Sequence, residues 1–560
     1  MPPVTALKAT SPKSPSSHKT NPTRAEAFAL VLLLAVAATL LTYQLNLPGL
    51  HNDEAQEAGL QAIQLLTGRP VSAFRGIGLG APPYPLMVQD YIGALHVYLA
   101  LPFFTLLGPT TVALRLMSVV VALAILSILW AFTRAAFDSP TALLTLLLLI
   151  PHPSWVFWYR QGVFIMSLNT LALVVALYFL HRWGQRGGWP LAFALGLTLG
   201  LGLYAKLLFL WVIGGLLTAL ALRNLAPLAT AVRQRAAPTL WPRTPTSADL
   251  LATTLGALIG LIPLLLYNLR SAGTFLSIFD NLGTSYYGVN NANIAANLAT
   301  RLQSAREVLL GVQFWYLGGS YSADLWPPLF ILALLIVIVW VWQRWPAADW
   351  SALVAVTLLV GLLQSVFTVS GLFHTHLAMF VPLPALLTAA VLIRLTRQLK
   401  HSVPLAPFIT ATLAALLILT SLFATTRYYI ELARTGGLGV HTDAINRLIP
   451  ALDQYATGPV VALDWGFAPQ VRQLTADRIQ PTEVFGYQWQ TDPDFANRLS
   501  PFFQNYDTLY ILHWDNEQVF PRRAEFFTLA QQHGLAPTQL AIIARRDGAP
   551  IFELIRLAPP

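Results

Sequence analysis

The chain contains no cysteine. That excludes disulfides, thiolate metal sites and thiol nucleophiles. Charge is scarce as well: 11% of the 560 residues are Asp, Glu, Lys or Arg, against roughly 25% in a soluble domain. The sequence also has no Gly-rich phosphate loop, no zinc-ligand spacing and no internal repeat. The first two absences remove the motifs on which nucleotide and zinc chemistry are built. The third argues against a transporter assembled from inverted halves.

Apolar residues fill the space that charge leaves, at 55% of the chain. They come in long blocks near residues 27–47, 88–107, 111–133, 139–152, 165–181, 189–205, 207–222, 250–268, 327–343, 350–370, 376–394 and 405–424. A helix needs roughly 20 apolar residues to cross the hydrocarbon core. Backbone in lipid must satisfy its own hydrogen bonds, so the fold class is an all-α polytopic membrane protein. The net charge of +9 then reads as Lys and Arg gathered in cytoplasmic loops. Membrane lipids are expected as partners and nucleic acid is not. Residues 1–24 are rich in Pro, Ser, Thr and Lys and read as a disordered cytoplasmic tail. The block after them lacks a small-residue cleavage site and reads as a retained first span.

The charge rule orients the blocks. Arg223, Arg233, Arg235 and Arg243 belong to one cytoplasmic loop, and Arg394, Arg397 and Lys400 to another; Arg134, Arg344 and the pair Arg182 and Arg186 fall on the same side. Lys8, Lys13, Lys19 and Arg24 place the N-terminus inside too. Parity then forbids block 88–107 from crossing. It begins after Pro82-Pro83-Tyr84-Pro85 and carries Gln89, Asp90, Tyr91, His96 and Tyr98, so it reads as a helix lying on the outer face. About eleven spans remain over residues 25–425, with outer loops at 48–110 and 269–326. Residues 426–560 carry charge, β-like runs at Val460–Asp464, Thr508–His513, Ala541–Ala544 and Ile551–Leu557, and helix-like stretches at Asp443–Tyr455 and Arg522–Gln532. They read as a small extracytoplasmic α/β domain.

Candidate chemistry collects on the outer side. Asp53 and Glu54 stand where the first span leaves the bilayer. A carboxylate there is either a solvated loop end or a general base. Arg115, Arg160 and Lys206 fall at the same face. Each alone is explained by snorkelling, but together they form a seat for a phosphate. Asp90, Tyr84, His374 and His376 are candidate substrate contacts. The two histidines, at i and i+2, read more readily as interfacial side chains, and Asp90 as polar decoration. Asp464, His513, Asp515 and Glu517 read as solvated surface of the tail domain. A lipid or small-substrate transporter, a flippase and an inactive envelope scaffold are the readings from other classes.

Four stretches resemble a known pattern. They are Asn52-Asp53-Glu54-Ala55 with Ala62 and Gly68, Pro82-Pro83-Tyr84-Pro85-Leu86 through Leu107-Gly108, Arg115-Leu116-Met117-Ser118, and Tyr159-Arg160-Gln161 with Ala205-Lys206. In this order, with the late Pro382-Leu383-Pro384-Ala385-Leu386, they resemble the GT-C membrane glycosyltransferases, family 39-like group. That group includes protein mannosyltransferases and aminoarabinose transferases. The resemblance implies sugar transfer, with inversion, from a polyprenyl-phosphate donor to a protein, lipid or glycan hydroxyl. It implies Asp53 as general base, Lys206, Arg160 and Arg115 at the donor phosphate, no metal and no cofactor, and a bacterial plasma membrane. Departures are Ala81 before the Pro-Pro pair, where relatives use Lys or His, Phe164 and Met166 where many carry an acid, and no Arg-Tyr pair ahead of the late Pro-Ala-Leu.

Overall fold

The computed structural model describes residues 22–81, 83–161, 166–235, 237–343 and 349–560. Most of the expected tail, with Lys8, Lys13 and Lys19, lies outside the described residues, as do Pro82, Phe164 and Arg344. The first helix, Arg24–Thr42, starts on a capping box in which Thr23 and Glu26 satisfy each other's backbone N–H.

Among the described residues, five helices are long and apolar enough to cross a membrane: Arg24–Thr42, Thr111–Ala136, Leu207–Gln234, Ser247–Ser271 and Ala406–Thr435. Two more candidate crossings are bent pairs. Ser139–Leu149 meets Pro153–Tyr159 at 73°, and His374–Phe380 meets Pro382–Leu399 at 45°. Block 139–152, read as one straight span, therefore turns at its end. Pro151 and Pro153 remove backbone donors there. Met166–Arg186 and the shorter helices Trp189–Ala205, Trp326–Trp342 and Trp350–Gln364 complete the bundle.

Helices Trp189–Ala205 and Ser247–Ser271 approach closely because Gly196, Gly200, Gly256 and Gly260 lie between them. A Cβ on Gly196 would sit 2.0 Å from the Thr253 carbonyl oxygen, and one on Gly256 2.3 Å from that of Phe193. Small residues at a membrane helix seam let backbones meet in this way.

Block 88–107 is only partly helical. Its helix, Leu95–Leu107, has 13 residues, about 20 Å at 1.5 Å per residue, too short for the hydrocarbon core. It also starts later than expected. Residues 78–93 form two small antiparallel pairs, Gly78–Leu79 with Tyr84–Pro85 and Met87–Gln89 with Ile92–Gly93. Pro85 cannot extend a helix backwards, and Asp90-Tyr91 supplies the turn of the second pair. The helix packs through Val97, Ala100 and Phe104 on Ala113, Leu114 and Met117 of the next span.

The tail domain holds a five-stranded sheet in the order Thr482–Glu483, Val460–Ala462, Leu509–His513, Pro550–Ala558, Ala536–Ala544. The first three run parallel and the last two pairings are antiparallel. Successive strand residues point to opposite faces. Val460, Ala462, Leu509 and Ile511 accordingly pack under Ile445, Leu448 and Val471, while Val461, Tyr510 and Leu512 pack under Phe495, Phe526 and Ala530. Helices cover both faces.

Candidate active site

The chain leaves its first span and turns sharply into the short helix Asn52–Glu54. His51 caps it: its Nδ1 accepts from the Asp53 backbone N–H at 3.2 Å, and Glu54 accepts from the His51 N–H at 3.1 Å. Glu54 is fully buried in a bidentate pair with Arg115, at 2.9 and 2.7 Å. The remaining Arg115 donors reach the carbonyls of Leu45, Pro48 and Gly49 at 3.1, 2.7 and 2.9 Å. All five guanidinium N–H groups are therefore spent. Two expectations are corrected here. Arg115 has no donor left for a phosphate, and Glu54 is not presented to a substrate. The pair instead holds the turn, and this leaves Asp53, with a side chain 26% exposed, as the accessible acid.

The next residues, Ala55–Gly59, form one turn of π-helix before Leu60–Thr67 resumes the α-helix. π-Turns recur at functional sites because they re-aim side chains. Glu57 lies here, buried, four residues after Asp53. Gln89 donates to its Oε1 at 3.2 Å, and its Oε2 has no hydrogen-bond partner among the described residues. Burial pushes the Glu57 carboxyl above its ordinary range; the Lys206 ammonium opposes that shift and the Asp53 carboxylate adds to it.

Lys206 closes helix Trp189–Ala205 and is 4% exposed. Its backbone is pinned from two sides. Asn169 donates to the Gly202 and Lys206 carbonyls at 2.9 and 3.2 Å, and Ile92 bridges to Lys206 as an antiparallel partner. The ammonium lies 6.0 Å from the Tyr91 ring centre, and Glu57 and Asp53 are the carboxylates that act on it. Of the two, Glu57 acts on the ammonium more strongly than Asp53. Arg160 is wholly buried over the Tyr429 ring at 5.0 Å and donates to the Gln44 carbonyl at 2.5 Å. Its Nε and Nη1 have no partner among the described residues. Arg160 stands on the segment entering the Asn52–Glu54 turn, and Lys206 on the hairpin.

The other expected residues are placed differently. Asp90 is neither decoration nor free: Arg75 grips it at 2.9 and 2.7 Å, and the Tyr267 hydroxyl donates to it at 2.5 Å, tying the first loop to helix Ser247–Ser271. Tyr84 is exposed on the first hairpin. His374 pairs with Glu307. His376 is buried rather than interfacial, with its Nδ1 3.3 Å from Arg301 Nη2. Asp464 and His513, read as solvated, are buried and 2.9 Å apart; the carboxylate also accepts from the Val519 and Phe520 N–H groups. Among the described residues no three His, Asp or Glu side chains group as a metal site.

Two further features are a loop contact and an apolar chamber. Tyr91 and Tyr286 bring their hydroxyls to 3.3 Å, so the second loop closes over the first. Within the bundle lies a chamber of about 580 Å³, almost entirely apolar, bordered by Leu149, Trp326, Phe330, Leu362, Phe380 and Val381.

Neither a protein-family model nor a curated protein matches the sequence. Solved structures do match the fold. ArnT from Cupriavidus metallidurans, bound to undecaprenyl phosphate, matches at TM-score 0.61 and 12% identity, over 94% of this chain and 97% of that one. Its apo state matches at the same TM-score and identity, over 95% and 98%. The archaeal oligosaccharyltransferase AglB from Archaeoglobus fulgidus, in complex with an inhibitory peptide and a dolichol-phosphate, matches at TM-score 0.51 and 13% identity, over 90% of this chain and 71% of that one. Both proteins are GT-C membrane glycosyltransferases. This chain has the GT-C fold.

Several residues at the centre of this GT-C chain escape a reading by sequence. Glu57 is four residues from Asp53, a helical spacing that puts the two on one face, and that signal was legible. Arg301 and His376 meet only because helix Ile294–Leu310 returns under the second loop. His441, from the start of the tail domain, stacks on His51 at 4.3 Å. No local pattern announces either contact.

Proposed function

We propose that this protein is an integral-membrane glycosyltransferase that moves a sugar from a polyprenyl-phosphate donor to an acceptor hydroxyl, with inversion. The observation that carries the reading is an accessible Asp53 carboxylate whose charge acts on the buried Lys206, on a fold that matches ArnT along 94% of the chain. The acceptor O–H gives its proton to Asp53 as the oxygen attacks the anomeric carbon. The bond from that carbon to the phosphate oxygen breaks, and the lipid phosphate leaves with the electron pair. Charge grows on the leaving phosphate, where Lys206 and Arg160 stabilise it. The transition state has oxocarbenium character, as in other glycosyl transfers. The apolar chamber is the natural place for the isoprenoid tail, and a dry wall beside the phosphate strengthens each of these interactions.

In this reading the tail domain and both large loops face away from the cytoplasm, the N-terminus faces inward, and the membrane is a bacterial plasma membrane. Neither a metal nor a nucleotide sugar takes part. The test is consumption of labelled polyprenyl-phosphate sugars by membranes containing wild type or Asp53→Asn, with crude envelope as acceptor source. General-base catalysis contributes about 10²–10⁴-fold, so the variant should lose turnover by that factor while still binding undecaprenyl phosphate. Equal rates in the two preparations would remove Asp53 from the mechanism.

A further inference from the structure

A groove of about 330 Å³ opens between the first loop and the tail domain, and Gln56, three residues after Asp53, borders it. Gln56, Gln61 and Phe74 border it on the loop side, and Arg472, Glu483 and Tyr487 on the tail side. The two sides are locked together. Gln64 donates to Asp477 at 3.1 Å, and Arg69 donates to the Asp477 carbonyl at 2.7 Å. Gly59 lies so close to Gln473 that a Cβ there would be 1.8 Å from its Oε1. The groove is therefore preformed, and binding in it costs little ordering.

Its loop wall is tied to the helix that carries the acid. Gln56 accepts from the side chain of Asn52, the neighbour of Asp53, at 3.2 Å. Tyr487 sits within reach of the same charge: burial first, then Glu483 and Asp53, push its phenol upward.

The chemistry of the walls selects among ligands. Arg472 is already neutralised by Asp477, at 2.7 and 3.3 Å, so the groove offers no uncommitted cation. Glu483 is met by the Tyr487 hydroxyl at 3.2 Å, and no ion pair to it is found among the described residues. The electrostatic balance is neutral to negative, which disfavours a phosphorylated ligand. Gln61 is 6% exposed; its amide N–H donates to the Ser72 carbonyl at 2.9 Å, while its Oε1 has no partner among the described residues. A buried acceptor left unmet costs free energy, and a ligand hydroxyl would supply the missing donor. The same hydroxyl can accept as well as donate, as the amides and the carboxylate require of a matched ligand. The rings of Phe74 and Tyr487 add flat apolar faces for the C–H side of a sugar ring.

We propose that this groove binds the acceptor, and that the acceptor is a neutral, polyhydroxylated glycan. The word acceptor rests on the glycosyltransferase reading; the ligand class rests on the groove alone. The test uses the full chain in lipid nanodiscs, with saturation-transfer NMR on neutral trisaccharides of glucose, mannose and galactose, their 6-phosphorylated forms, and a Ser/Thr-rich peptide. Undecaprenyl phosphate binding is measured in parallel. At least one neutral trisaccharide should bind, and Gln61→Leu and Glu483→Gln should each weaken it by about tenfold, the factor set by one lost hydrogen bond of about 1.4 kcal/mol. Both variants should stay folded and keep the wild-type lipid affinity. Lys206→Ala should do the reverse, losing the lipid and keeping the glycan. Preference for the phosphorylated sugar or the peptide, glycan binding indifferent to both groove variants, or no binding of any probe would each overturn the proposal. Glycan binding that depends on the groove, in a wild type that ignores undecaprenyl phosphate, would uphold the groove and sink the transferase.

Discussion

Replacing Arg115 with alanine separates a structural cation from a substrate-binding one. In the folded protein its five donors go to the two Glu54 oxygens and to three carbonyls of the segment Leu45–Gly49, and both side chains are 0% exposed. Alanine leaves the Glu54 carboxylate buried without its counter-ion. Breaking a buried pair in this way costs about 3–5 kcal/mol. The three orphaned carbonyls add about 1–3 kcal/mol each where water cannot enter, so the lower figure is a floor. At about 2 °C per kcal/mol for a large chain, the thermal midpoint should fall by about 6–10 °C. Tryptophan fluorescence of the detergent-solubilised protein, which has 16 Trp residues, follows the transition directly. Glu54→Gln should fall by a similar amount, because it strands the guanidinium instead. The double variant Arg115→Met with Glu54→Leu should be less destabilised than the sum of the two single changes, since neither charge is then left alone. Affinity for undecaprenyl phosphate among folded molecules should not change. An Arg115→Ala protein that keeps its midpoint within about 1 °C but no longer binds the lipid would refute the assignment and return Arg115 to the phosphate site.

Arg160 should behave oppositely: Arg160→Ala removes donors that have no partner among the described residues, so lipid-phosphate affinity should drop by about tenfold or more, read by titration with undecaprenyl phosphate. Gly196→Ala drives a methyl into the Thr253 carbonyl and should cost about 1–3 kcal/mol through overpacking, seen as a lower midpoint beside an unchanged control such as Leu217→Ala, whose side chain is exposed. Glu483 provides a pH signature. Burial raises its carboxyl above the ordinary 4.5, with the Tyr487 hydroxyl pulling the other way, so the folded state holds that proton more tightly than the unfolded chain. The wild type keeps this contribution below pH 4.5 and loses it as pH rises through the raised value. The midpoint of Glu483→Gln relative to wild type should therefore rise as the pH climbs above 4.5, and a flat difference would contradict the burial. Asp477→Ala removes the bonds to Gln64 and Arg472, so limited proteolysis should cut the junction near residue 435 faster than in wild type.

Composition and block length alone determined that the chain is a polytopic helical membrane protein with a mixed α/β tail, because backbone in lipid has so few ways to satisfy its hydrogen bonds. Charge parity set block 88–107 apart from the spans, and its helix has 13 residues. Local motifs brought Asp53 and Lys206 to notice, since each is a costly charge beside an apolar run. What the sequence could not assign was the work each charge does. Arg115 and Arg160 look alike as letters, yet one has all five donors satisfied by a turn 61 to 70 residues earlier and the other has two nitrogens without a partner among the described residues. Glu54 and Asp53 are adjacent, yet one is fully buried against Arg115 and its neighbour is partly exposed. Those differences arise from contacts between distant segments, as does the groove closed by a tail domain more than 400 residues from the loop it covers. Desolvation and hydrogen-bond partners are properties of the surroundings of a side chain, and only the tertiary structure decides what those surroundings are.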